Sequence, residues 1–150
     1  MELGNAREAT AELMEIAAEY QEHPDVLEVR WRILADLKRW EAALDVTRML
    51  LARAPDRLTG WILQAYALRR VQGGGLEQAR MALLPAVKQF PKENIVPFNL
   101  ACYAAQLGQL QEAWDWLQQA MKVAGNIENI KKRALAEEDL QPLWERLKAL

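Results

Sequence analysis

The chain has 150 residues, 51% hydrophobic and 27% charged, with a net charge of −2, ordinary for one folded domain that buries roughly 70% of its unfolded surface. No apolar run reaches the roughly 18 residues that span a bilayer. Met1-Glu2-Leu3-Gly4-Asn5 is neither basic nor apolar like a secretory leader, so a soluble, cytoplasmic protein is expected. Cys102, the one cysteine, excludes an internal disulfide framework.

The small net charge hides segregation. Residues 1–28 carry eight acids against Arg7, residues 29–92 carry twelve bases against five acids, and residues 93–150 are nearly balanced. Such blocks either steer partners or neutralise neighbouring segments.

In chain order, Ala6, Ala9, Leu13, Ile16 and Tyr20 recur at helical spacing and predict a leading helix over 3–23, either an N-terminal cap or the second half of a repeat from a longer array. Residues 24–57 predict a helix pair through Leu27, Leu34, Trp40, Ala43 and Leu50, closed by Pro55. Residues 58–93 repeat the plan with Trp61, Ala65, Leu68, Leu76, Ala79, Leu83, Ala86 and Pro91. There Gly73-Gly74-Gly75 lengthens the turn, and Pro85, inside the second helix, predicts a kink. Residues 94–127 give the clearest pair: Leu100, Ala101, Gly108, Leu110, Ala113, Leu117 and Ala120, with Gly125 at the end. The alanines are small where helices approach closely, and Gly108 supplies the positive φ that ends the first helix. Residues 128–150 predict a C-terminal cap: a helix over 127–137, then a short helix with Asp139 as N-cap, its face formed by Leu140, Leu143, Trp144, Leu147 and Leu150. Eight helices are predicted, and no strand pattern competes.

Ala9, Ala43, Ala79 and Ala113 stand 34, 36 and 34 residues apart, and Pro55, Pro91 and Gly125 follow at steps of 36 and 34. This period marks stacked helix–turn–helix units. In its Leu-Ala, Gly, Glu-Ala and Ala positions the chain resembles the tetratricopeptide repeat family, with about three repeats plus helical caps. Arg30, Trp31 and Thr47 depart from the pattern, Trp31 where the family has a small residue, which predicts a wider helix spacing. The resemblance implies an all-α, right-handed superhelical stack of antiparallel helix pairs with a concave binding face. On its ligand-facing positions the first pair places Asp25, Glu28, Val29, Arg32, Ala35 and Asp36. The second places Thr59, Ile62, Leu63, Tyr66, Arg69 and Arg70, and the third Ile95, Phe98, Asn99, Cys102, Ala105 and Gln106. The expected site is Arg32, Ile62, Tyr66, Arg69, Arg70, Phe98 and Asn99, a surface suited to a protein or peptide segment with apolar and acidic residues. The carboxylate clamp of chaperone-binding members is not matched: it needs Lys and Asn in the first pair, Asn in the second and two bases in the third, where this chain has Glu28, Arg32, Leu63, Ile95 and Asn99.

Catalysis is not expected. The chain has no serine, its one histidine, His23, precedes Pro24, and Cys102 has no histidine on a neighbouring turn. One histidine and one cysteine make no metal site, and Gly73–Gly75 lacks the Lys-Ser/Thr of a phosphate loop. Glu137 and Glu138 point to different sides of a helix. No cofactor and no metal are expected, and mixed charges with a pI near 5.5 argue against nucleic acid. Trp114 and Trp116, two apart on one helix, cannot share a face, so one is expected to be exposed or to meet a neighbouring helix or another chain, a candidate self-association patch. The reading is a non-catalytic binding scaffold. The alternatives are a self-assembly module that oligomerises end to end or through the tryptophan patch, and a small secretion-type chaperone.

Overall fold

Apolar residues recurring every three or four positions wind most of the chain into helices. The computed structural model describes residues 3–150; the start read at Met1 and Glu2 lies outside them. Among the described residues there are ten α-helices and no strand. They are α1 (Leu3–Glu15), α2 (Pro24–Asp36), α3 (Trp40–Arg53), α4 (Leu58–Leu68), α5 (Leu76–Leu83), α6 (Ala86–Gln89), α7 (Ile95–Gln106), α8 (Leu110–Ala124), α9 (Ile127–Leu135) and α10 (Trp144–Lys148). Short 3-10 turns occupy Ala18–Tyr20 and Glu138–Leu143. Contacts divide the chain into two compact units, one ending at Gly75 and one beginning at Leu76.

In the first unit, α2 and α3 close over Leu27, Trp31, Ala43, Leu44, Val46 and Leu50, with Ala67 from α4. A fully buried leucine such as Leu27 or Leu50 contributes roughly 1.5–3 kcal/mol. Thr47 is also fully buried, and its hydroxyl donates to the Leu44 carbonyl at 2.6 Å, so this polar departure from the repeat pattern is satisfied inside the core. The other departure, Arg30, has a capping role. The Gln21 amide donates to the Leu13 and Ile16 carbonyls (2.7 and 2.8 Å), and Arg30 donates to Gln21 Oε1 at 2.6 Å. Carbonyls at the end of α1 thereby gain a side-chain donor, that of Leu13 in addition to the Ile16 N–H at 3.2 Å. A hollow of about 380 Å³ lies here, between Leu13 and Met14 of α1 and Arg30, Ile33 and Leu34 of α2.

The second unit packs α7 against α8 and closes the pair with the C-terminal segment. Ala101, Ala113 and Ala120 are fully buried, with Leu117, Ile130, Leu140 and Leu147 around them. Two expectations need correction here. Pro85 breaks its helix outright: without an N–H it cannot serve the Met81 carbonyl, α5 stops at Leu83, and α6 begins at Ala86. Asp139 is not an N-cap but lies inside the 3-10 turn. The residue that does cap a helix in this region is Asn126, whose side chain accepts from the Asn129 N–H at 3.0 Å at the start of α9.

The α2–α3 and α7–α8 turns are built alike. Lys38 N–H bonds the Ala35 carbonyl (2.9 Å) and Arg39 N–H the Leu34 carbonyl (2.8 Å); Gly108 and Gln109 make the same pair of bonds to Ala105 and Ala104 (3.0 and 2.9 Å). This double bond requires a left-handed residue after the helix. Gly108 adopts φ 78° as expected, and Lys38 is forced to φ 57°. The glycine triplet is more than a spacer. A Cβ on Gly74 would lie 2.1 Å from the Leu68 carbonyl oxygen, so only glycine fits that close approach.

Candidate peptide-binding face

The site builds from α2 and α4, both in the first unit. On α2, the flank carrying Arg30, Ile33 and Leu34 meets α1. Val29, Arg32 and Asp36, at three-to-four spacing on the other flank, remain exposed. The acidic helix α1 therefore leaves that flank uncovered. On α4, Thr59 and Tyr66 are exposed and Ile62 and Leu63 half-buried; in the turn that follows it, Arg70 is exposed and Arg69 half-buried.

The acids and bases of this face are not equally available. Arg57, just ahead of α4, reaches Asp25 Oδ1 at 2.8 Å and Glu28 Oε1 at 3.2 Å. Its hydrogen bond holds the Asp25 carboxyl below the ordinary carboxylate range, and the same bond raises the Arg57 guanidinium. Two acidic positions of the expected face are thus occupied from within the unit.

Tyr66 is the centre of an aromatic group. Its ring meets Trp31 edge-on at 5.7 Å between centroids and Trp40 at 5.9 Å, tilted. Arg70, one turn after Tyr66, lays its guanidinium 3.6 Å above the Tyr66 ring and 5.3 Å from the Trp40 ring. Arg70 Nη1 also donates to the Tyr66 carbonyl at 2.9 Å. Tyr66 nonetheless keeps 42% of its surface exposed, and Val29 keeps 44%. Trp31 makes this arrangement possible. It fills the place of a small residue, is 7% exposed, and its indole Nε1 finds no acceptor among the described residues. Such an orphaned donor costs about 1–3 kcal/mol.

The structure brings Tyr66 and Arg70 together and sets Arg32 and Ile62 on the same helix pair. Phe98 and Asn99 belong to the second unit, where Phe98 is 5% exposed and Arg133 of α9 lies 4.4 Å over its ring. Arg133 also donates to Asn94 Oδ1 at 3.0 Å, Gln106 donates to the Asp139 carbonyl at 3.3 Å, and Cys102 and Ala105 are buried. Asn99 is half-buried. Much of the ligand-facing side of α7 is thus covered by the chain's own C-terminal segment. The sequence reading missed Arg57, Arg133 and the roles of Trp31 and Trp40. The Tyr66–Arg70 spacing of four was the one legible signal.

The remaining chemical candidates have structural positions. His23 Nδ1 accepts from the Asp25 N–H at 3.2 Å and caps α2. Trp114 is buried beneath Arg146 of α10, 4.1 Å from its ring, so it meets a neighbouring helix, and Trp116 is half-buried with its indole donating to Glu112 at 3.2 Å. Among the described residues no three His, Cys, Asp or Glu side chains gather as metal ligands, and no helix is long and apolar enough to cross a membrane.

No protein-family model and no curated protein matches the chain. Among solved structures it is similar to MamA 41-end from Desulfovibrio magneticus RS-1, with a TM-score of 0.67 at 20% identity, covering 81% of this chain and 68% of that one. It is also similar to an RS-1 MamA double mutant, with a TM-score of 0.66 at 20% identity, covering 81% and 67%. The fold is all-α, of the tetratricopeptide-like solenoid type.

Proposed function

We propose that the protein is a non-catalytic interaction scaffold that binds a protein or peptide segment on the α2/α4 face. The observation that carries the reading is the exposed Tyr66 ring with Arg70 fixed above it and Trp31 of α2 against it, Val29 and Arg32 of α2 being exposed as well. Apolar anchors with a nearby cation suit an extended or helical segment carrying apolar and acidic residues. Arg69 and Arg70 supply the cationic wall, Ile62 and Tyr66 the apolar floor, and Arg32 a second basic contact. The test is a pull-down with mass spectrometry, wild type against Arg69→Glu/Arg70→Glu. The double variant keeps its helicity and loses the partners; partners retained in full by the variant would remove the face from the account.

A second reading, self-association, is favoured by a hollow of about 450 Å³ at Trp114, Met121, Ile127 and Leu150, where Ile127 and Leu150 are more than half exposed. It predicts a mass that rises with concentration in light scattering and falls back with Ile127→Glu. A monomer at all concentrations would exclude it.

A further inference from the structure

Resting on the reading of the α2/α4 face as a binding surface, we infer that this face reads a carboxylate beside an apolar side chain, with Arg70 taking the carboxylate and Tyr66, Trp31 and Trp40 positioning it.

Four other arginines of the first unit have side-chain partners. Arg57 is held by Asp25 and Glu28, Arg48 by Asp45, Arg53 by Glu22, and Arg30 by Gln21. Arg70 is held differently, by two aromatic rings and a backbone carbonyl, and among the described residues no carboxylate pairs with it. A guanidinium has five N–H donors in one plane. One, on Nη1, is spent on the Tyr66 carbonyl, which leaves the Nε–Nη2 edge without an acceptor among the described residues. That edge is the geometry a carboxylate accepts in bidentate fashion.

An exposed arginine ordinarily loses rotamer freedom when it engages a ligand. Here the stack on Tyr66 has already restricted it, and Trp31 and Trp40 brace Tyr66 in turn. Val29 and the free part of the Tyr66 ring offer apolar surface on the same helix pair. None of the five positions of the family's carboxylate clamp is used. A single bidentate edge matches a planar carboxylate, whether of a side chain or of a chain terminus.

The experiment is an NMR titration of the full chain, following the Arg70 Nε–H and the Trp40 indole N–H. The probes are N-acetyl-Leu-Glu-Leu-amide, its Gln isostere, N-acetyl-Leu-Leu with a free terminal carboxylate, and the phosphoserine analogue of the first, each to about 10 mM. The Glu peptide is expected to shift both resonances and to bind at least about tenfold more tightly than the Gln isostere. The free-terminus peptide separates the two sources: if it matches the Glu peptide, a chain terminus serves as well as a side chain. Arg70→Lys should weaken the Glu peptide several-fold and Tyr66→Leu likewise, with Tyr66→Phe restoring it, a pattern that loss of fold would not give.

If the Gln isostere binds as well and shifts Val29 and Tyr66, the carboxylate assignment fails and the binding face stands. If the phosphoserine peptide binds more than about tenfold tighter than the Glu peptide, the ligand is a phosphate and the assignment fails. If no probe moves any α2 or α4 resonance, both the assignment and the face fall.

Discussion

The α4 face and the α7 face carry the same two parts, an aromatic ring with an arginine laid over it, and use them in opposite ways. Arg70 lies in the turn that follows α4, one turn of chain after Tyr66, and the pair stands at the surface with part of the ring open. Arg133 reaches Phe98 from a separate helix and arrives with the whole C-terminal segment, so the ring is sealed. Here the arginine that comes from the adjoining turn leaves its ring partly open, and the one that comes from a separate helix helps to close it over. The contrast continues beneath them. Trp31 and Ala101 hold the same place in their repeats, 70 residues apart. The bulky residue supports the open face, and the small one permits the close crossing of the sealed unit.

That contrast can be tested by exchange. Trp31→Ala should destabilise the chain by about 3–5 kcal/mol through the cavity it leaves, and Ala101→Trp by roughly 1–3 kcal/mol through overpacking. Denaturant unfolding followed by circular dichroism measures both. A neutral Ala101→Trp would show that the two positions are not equivalent.

The arginines should separate next. Arg133→Ala removes a sheltered cation–π contact and the bond to Asn94, a loss of about 1–2 kcal/mol, and hydrogen exchange at α7 should quicken. Arg70→Ala, at the surface, should cost about 0.5 kcal/mol. Equal costs would erase the distinction between open and sealed faces.

Smaller effects attend the matched turns. Lys38→Gly relieves a left-handed non-glycine residue and should stabilise by about 0.5–1 kcal/mol, while Gly108→Lys should cost a similar amount. Thermal unfolding of the two variants, moving in opposite directions, checks this.

The smallest effect is electrostatic. Because Arg57 depresses the folded-state pKa of Asp25, the pair contributes above the ordinary carboxylate range and is lost as pH falls through that depressed value. Both groups are exposed, so salt should screen the effect. Melting temperature against pH at low salt should fall less steeply for Arg57→Ala than for the wild type in the acid limb.

Architecture was legible because repeated alanines and glycines mark close crossings and turns, and those constraints are local. Ala43, Ala79, Ala101, Ala113 and Ala120 are all fully buried, and Gly108 ends its helix as its position required. Pro85 was read as a kink and proved a break, since the lost bond falls near the end of an already short helix. The site was legible in part. Motif positions locate Tyr66 and Arg70 four residues apart at the end of α4 and the turn after it, but that Arg133 covers Phe98 depends on how residues 39 and 35 apart in sequence meet, which no local pattern records. Trp31 was noticed as a departure, and its service to Tyr66 needed coordinates. Arg57 was invisible because its partners lie about thirty residues away.

The most direct test of the central claim is site-specific photocrosslinking to the partner recovered by pull-down. A benzophenone side chain would replace Val29 on the open face, Asn99 on α7, or Ile127 beside the hollow of the second unit. Crosslinking from position 29, abolished by Arg70→Glu, is the predicted result. Crosslinking from position 99 or 127 alone, unaffected by Arg70→Glu, would contradict it.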